Sequence, residues 1–447
     1  MLGAAGCNVF AQQTCITNIP SPVADITGTA EITNGCFYGA GVSSAYGDPI
    51  DDSPGDPSNA PFTQSNFTNG IIVGRNGVEG RLRVIGVNTD GGAFDGLPSR
   101  LMDIWAPRIG WDDNTTGTLE VLDGALVRIF AGSLFPDIFA LALGTGSNGN
   151  LIISGANSRV EVYFKRWDYP SPDIATLTLG NAGDSVNIEI TAGGVLSVVE
   201  APGYEIFTQI GLNASPQQAH ILVSGSGSRF ETTGEIFLAA NPGVTTITLA
   251  NGGLLQADAV STLEGTDLIF GIGDDGSGAI ASGRVDARIK SNSLPGGNLD
   301  LDVALGTLLS PGDEFLLMRF DEGGFGNFRY DNAGVRTPVT DSAQIERDGY
   351  VFEFIVDTSS DQRLSVRVVD HCAAAANSVP AGQWQLISLP CDPGIDDTVA
   401  AVLGDDLSGT YGTDWALFRY DVTAASPRYV TLGLNDPLKV GEGYWLK

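Results

Sequence analysis

From about residue 70 to residue 270 the chain repeats itself in glycines and alternating apolar residues. LRVIG ends at Gly86, LEVLDG at Gly124, LIISG at Gly155, IEITAG at Gly193, ILVSG at Gly225 and ITLANG at Gly252, at intervals of 38, 31, 38, 32 and 27 residues. A second landmark runs beside the first: IIVG at Gly74, PRIG at Gly110, LALG at Gly144, LTLG at Gly180 and IGL at Gly211, at intervals of 36, 34, 36 and 31. A period near 30 built from short alternating segments defines a solenoid, in which each unit buries its apolar face only by stacking on its neighbours.

Within one unit the alternation yields three strands separated by Gly, Asn and Asp turns. IEIT (188–191), VLSVV (195–199) and IFTQIG (206–211) form one set, and ILVSG (221–225), RFETT (229–233) and EIFLA (235–239) the next. Three strands per coil predict an all-β fold, a right-handed parallel β-helix of five or six coils and on the order of 30 Å in length. Alternate residues of each strand face inward and build apolar rows, and the Thr, Ser, Glu and Arg between them face water.

The rest of the chain divides around this rod. Residues 1–11 read as the tail of a secretory signal, with Val9-Phe10-Ala11 before a cleavage point at Gln12. Residues 12–68 are an irregular capping segment with one strand at ITGTAEI (26–32) and a Pro/Asp-rich loop at 48–61. Repeats occupy 69–270. A β-rich cap follows over 271–370, where 299–328 and 350–369 read as antiparallel strands covering the open end of the solenoid. A small β module closes the chain at 371–447, with strands in 381–393, 414–421, 428–434 and 441–447, a short helix near 397–406, and a core expected around Trp384, Trp415 and Trp445.

Charge and cysteines narrow the function. The chain has 53 acidic residues against 23 basic ones, a net charge of −30, which repels nucleic acid and anionic membranes. No segment reaches 18 consecutive apolar residues, so no spanning helix is expected. Removal of residues 1–11 takes Cys7 and leaves Cys15, Cys36, Cys372 and Cys391. Local pairing, Cys15 with Cys36 and Cys372 with Cys391, is one of three connectivities and places a disulfide clasp near each end.

The alternation of LTLGNAG (177–183) with ILVSGSGSRFETTGEIFLA (221–239) resembles the β-helix passenger repeats of autotransporter-type secreted bacterial proteins. SPGDEFLLMRFDEGGFGNF (310–328) resembles the Gly-Asp-x-Phe segment, followed by Gly-x-Phe, that closes such passengers, and the terminal WQLISLP…GEGYWL pattern resembles a small β module of bacterial surface proteins. The resemblance covers about 70–370 and implies a secreted or cell-surface location. The C-terminal membrane barrel of that family has no counterpart in the residues after 370.

Catalytic constellations fail on spacing. Asn88-Thr89-Asp90, Asp274-Asp275 and Arg288-Ile289-Lys290 mimic pieces of a polygalacturonase site, yet Asp90 and Asp275 lie several coils apart and cannot share one glycosidic bond. The acidic pairs Asp112-Asp113, Asp274-Asp275, Asp396-Asp397 and Asp405-Asp406 read as turn residues. His220 and His371 are the two histidines, and neither adjoins a nucleophile elbow. No cofactor is expected. Asp48, Asp51, Asp52 and Asp56 are the calcium candidates, without EF-hand spacing.

Two insertions, 87–108 and 164–173, add aromatics to a surface of small residues. Trp105, Trp167 and Tyr169 in these insertions, with Trp111 just beyond the first, are the candidate binding-loop residues. The expected function is a structural or adhesive β-solenoid, a subunit that assembles with other copies of itself or with surface components. A polysaccharide lyase or hydrolase and a non-catalytic glycan-binding module are the alternatives.

Overall fold

A computed structural model describes residues 16–17, 25–33, 37–40, 62–65, 71–87, 98–103, 108–132, 140–142, 144–165, 174–179, 185–199, 205–210, 218–238, 244–262, 266–290, 297–322, 328–332, 335–359, 362–371, 384–388, 398–404, 407, 409–421, 428–439 and 442–447. Among the described residues strand accounts for 65% and helix for 2%, so the fold is all-β.

Stacked parallel coils form a β-solenoid. Each coil has a rear strand, a front strand and a side strand, in that order. An opening coil, Asp25–Ile26, Gly28–Ile32 and Phe37–Ala40, pairs parallel with the first of five more, so solenoid register begins inside the segment expected as an irregular cap. The five are Ile72–Val73, Gly80–Ile85 and Arg100–Asp103; Arg108–Ile109, Thr116–Leu122 and Leu126–Gly132; Ala140–Leu141, Asn148–Ser154 and Arg159–Lys165; Ile174–Leu179, Ser185–Thr191 and Val195–Val199; Glu205–Ile210, Gln218–Ser224 and Arg229–Thr232. A further coil joins Glu235–Leu238 and Val244–Ala250 to Leu254–Thr262, one strand that serves the side stack with its first half and the rear stack with its second.

The register explains the cohesion of the rod. Leu82, Leu119, Leu151, Ile188, Ile221, Ile247, Leu268 and Leu299 stand directly over one another along the front stack, all buried. Leu101, Val127, Val160, Leu196, Phe230, Leu255 and Val285 do the same along the side stack. Truncating one such residue to alanine removes both transfer energy and packing, a cost of about 2–5 kcal/mol.

Corners are built from left-handed residues. At the front-to-side corner Asp123-Gly124, Ala192-Gly193 and Asn251-Gly252 all have positive φ, so a tight turn carries the chain from the front stack into the side stack. At the rear-to-front corner the backbones approach closely. A Cβ on Gly117 would lie 2.3 Å from both the Gly110 amide nitrogen and the Val73 carbonyl oxygen, a separation no side chain tolerates.

Parallel pairing does not stop where the glycine period fades. Thr266–Asp274 pairs parallel with Asn298–Val303, and Arg284–Lys290 with Glu314–Glu322. Direction changes at Glu314–Glu322, whose other edge meets Gln362–His371 antiparallel, and Tyr350–Asp357 extends that sheet into a cap. The antiparallel expectation for 299–328 thus fails at Asn298–Val303, because apolar alternation carries no information about strand direction. One continuous core runs from Ile26 to Val368.

The C-terminal module is a four-stranded antiparallel sheet in the order Gln385–Ser388, Gly443–Leu446, Leu417–Asp421 and Arg428–Thr431, with the helix Val399–Leu403. Its own core holds Val399, Trp415, Leu417, Leu432, Leu438, Tyr444 and Leu446. Of the three tryptophans expected there, only Trp415 is buried, while Trp384 is 51% exposed and Trp445 half-buried.

Candidate functional site

The outer face of the side stack carries an ordered set of charged groups. In register along it stand Arg100, Leu126, Arg159, Val195, Arg229, Leu254 and Arg284, so that an arginine recurs at every second coil with an aliphatic residue between. Two residues further along each strand the row reads Arg128, Glu161, Ser197, Glu231, Gln256, Asp286 and Arg319. Arginine and carboxylate therefore fall on the same coils, as SRVE (158–161), SRFE (228–231) and GRVD (283–286). Between them lie the uncharged GVLS (194–197) and GLLQ (253–256). The repeating unit of this face is two coils, roughly 9–10 Å.

Ion pairs connect the rows. Arg159 lies 2.9 Å from Glu161 on its own strand and donates to Glu231 two coils away at 3.0 Å. Arg128 donates to Glu161 at 2.7 Å from the coil before. Arg284 pairs with Asp286 at 3.4 Å and Arg319 with Asp321 at 3.7 Å. Val195 and Ser197 stand in register between the charged coils and are buried, although strand parity places them opposite the inward-facing Leu196.

A serine at the head of two of the three charged coils, SRVE and SRFE, ties each to the corner of the preceding coil. Ser158 accepts a hydrogen bond from the Gly124 amide at 2.9 Å and donates to the Ser154 carbonyl at 2.7 Å. Ser228 accepts from the Gly193 amide in the same way, at 2.9 Å. Both serines are fully buried.

At its C-terminal end this face opens into a trough of about 740 Å³ at the bend toward the rear stack. Arg159, Glu231, Asp258, Asp286, Arg288 and Arg319 are among its lining residues. Asp258 accepts a bidentate hydrogen bond from the Arg288 guanidinium at 2.5 and 2.9 Å, and that interaction holds its carboxyl below the usual aspartate range. An ionised carboxylate clamped by a guanidinium is a poor proton donor, so Asp258 is unsuited to general-acid work.

The front face opens on a second clasp. Glu120, 4% exposed, receives hydrogen bonds from Arg81 and Arg83, and Arg83 also donates to Glu31 at 2.6 Å. Burial works to raise the Glu120 carboxyl, but the two guanidiniums outweigh it and hold it below the ordinary value.

Trp111 sits beyond the rear strand Arg108–Ile109, with the Arg108 guanidinium 3.8 Å above its ring. Trp105, Trp167 and Tyr169 lie outside the described residues, as do Cys15, Cys36, Cys372, Cys391, Asp48, Asp51, Asp52 and Asp56. Asp112 and Asp113 accept from the amides of Asn76 and Thr145, at 2.9 and 2.7 Å, and so cap turns of neighbouring coils. Asp274 and Asp275 fold back on the amides of their own turn, Gly276, Ser277 and Gly278. His220 is exposed on the front face between Asn187 and Thr246. Among the described residues no group of three or more His, Cys, Asp or Glu is arranged to hold a metal ion. Nor is any described helix long and apolar enough to cross a membrane.

The trough escapes a search for adjacent acidic pairs, because its carboxylates are single residues on successive coils. The recurring Ser/Gly-Arg-apolar-acid tetrapeptide is the signal that would find it. No family model matches the chain, and no curated protein matches its sequence.

Proposed function

We propose that the chain is an extracellular or bacterial cell-surface β-solenoid with a structural and adhesive role, which joins other copies of itself or surface components. The observation that carries this reading is the fate of the charged groups on the side face. Arginine and carboxylate are spent on one another as clasps between coils, a use that stiffens a rod. The acidic pairs at 112–113 and 274–275 are likewise engaged with turn amides. We assign no cofactor, with calcium at Asp48, Asp51, Asp52 and Asp56 as the one metal reading. Electron microscopy and cell-binding assays on the purified protein test the proposal. Rods that associate or adhere support it, and inert monodisperse particles without affinity for cells, glycans or one another overturn it.

The trough favours one second reading, a polysaccharide lyase or hydrolase, since it offers carboxylates and guanidiniums on consecutive coils of an open groove. Release of unsaturated or reducing ends from acidic polysaccharides, with and without calcium, decides between the two.

A further inference from the structure

The four-stranded C-terminal sheet has a second face, opposite its core. Register places Leu386, Trp445, Phe418 and Thr431 side by side across it, with Tyr420 paired to Tyr429 one step along. Trp384 joins them, its ring 5.0 Å from that of Phe418, and the Tyr420 and Tyr429 rings are also 5.0 Å apart. These side chains are open to water: Trp384 is 51% exposed, Leu386 64%, Tyr420 48% and Tyr429 57%. A contiguous apolar face of this kind is uncommon on a water-exposed surface and marks a place where something binds.

The chemistry of the face identifies what. Five of its six large side chains are aromatic, so it presents flat rings in place of the branched aliphatic knobs that interlock in a protein core. The described hydrogen bonds leave the Tyr420 and Tyr429 hydroxyls available, and Thr431 is exposed beside them. Lys447 lies 5.4 Å over the Trp384 ring, and none of the named residues on this face is Asp or Glu, in a chain with 53 acidic residues. A second copy docking through this same face would bring no carboxylate to pair with Lys447, which sets that contact at a disadvantage. Sugar rings offer the complement: axial C–H groups that stack on aromatic planes, and equatorial hydroxyls for the tyrosines, Thr431 and Lys447.

We propose that this face is a glycan-binding surface, which takes a β-linked polysaccharide by stacking on Trp384, Phe418, Tyr420, Tyr429 and Trp445. The inference rests on the adhesive reading and supplies its ligand class, at a site separate from the insertions and from the trough.

The test uses the full-length chain. Depletion onto insoluble cellulose and chitin, affinity electrophoresis in soluble β-glucan, and sedimentation velocity are compared for the wild type, Trp384→Ala and Tyr429→Ala. The two substituted side chains are half exposed, and thermal unfolding verifies that both variants fold. Retention on at least one of these glycans, weakened roughly tenfold by each substitution with the melting midpoint unchanged, is the expected result. The Tyr429→Phe variant keeps its ring and is expected to retain most of the binding. Undiminished binding in both alanine variants overturns this assignment while leaving adhesion standing. Absence of binding to every glycan overturns it as well, and so does self-association abolished by Trp384→Ala, which would make the face a contact between copies. The wider structural reading is judged separately, by microscopy.

Discussion

Single residues in this protein are judged by what stands above and below them. Ala192 occupies a corner position with φ of +52°, where the equivalent residues are Asp123 and Asn251. A Cβ-bearing residue without a local hydrogen-bonding side chain is disfavoured there by roughly 1–2 kcal/mol, and asparagine recovers part of that. Ala192→Asn is therefore expected to raise stability by about 0.5–1 kcal/mol, read as a higher urea midpoint at unchanged m-value. Glu120 predicts a pH dependence. Its carboxyl is held below the ordinary glutamate value of 4.5, so its stabilising contribution is complete above that value and is lost as the pH falls through the depressed one. Glu120→Gln should lower the melting midpoint at pH 7, and the gap from the wild type should close as the pH is taken down through the depressed Glu120 value. A gap that stays constant with pH would remove the ion pairs as its cause.

Coils were more legible in the sequence than faces. Gly86, Gly124, Gly155, Gly193, Gly225 and Gly252, the landmarks of the repeat, all have positive φ, which is why glycine marks those corners and why the period could be counted. Inward rows followed from the same alternation. Hidden from that count was the two-coil unit, because SRVE and GVLS place their apolar residues identically and differ only in what faces outward. Serine's role was equally hidden, since Ser158 reads as an ordinary turn residue until its oxygen is found between the Gly124 amide and the Ser154 carbonyl. Ser158→Ala leaves the Gly124 amide without its partner and should cost about 1–3 kcal/mol in chemical denaturation. Ser197→Ala, a buried serine of the intervening coil with no described hydrogen bond, should cost less. In the C-terminal sheet, residue type alone placed three tryptophans in one core. Strand parity sends Trp445 to the opposite face from Tyr444 and Leu446, and no composition argument fixes that parity.

At the scale of the whole molecule, the phase of the charged coils constrains how the rod can be cut and rejoined. Deleting residues 159–228 removes two coils and brings SRFE against the coil of Arg128, so Glu231 takes the place of Glu161 and the clasp survives. Removing residues 195–228 takes out one coil and sets Arg159 beside Arg229 and Glu161 beside Glu231, with like charges facing across about 4.8 Å. The first deletion should give a shorter rod with one cooperative melting transition. The second should melt lower and recover in part at high salt, where screening relieves the repulsion. Equal midpoints for the two deletions would show that the phase carries no energy. If the phase does carry energy, a gene for such a rod can lengthen by tandem duplication only in even steps. Each viable step adds roughly 9–10 Å of reach, so related rods should differ in length by a quantum set by the arginine spacing.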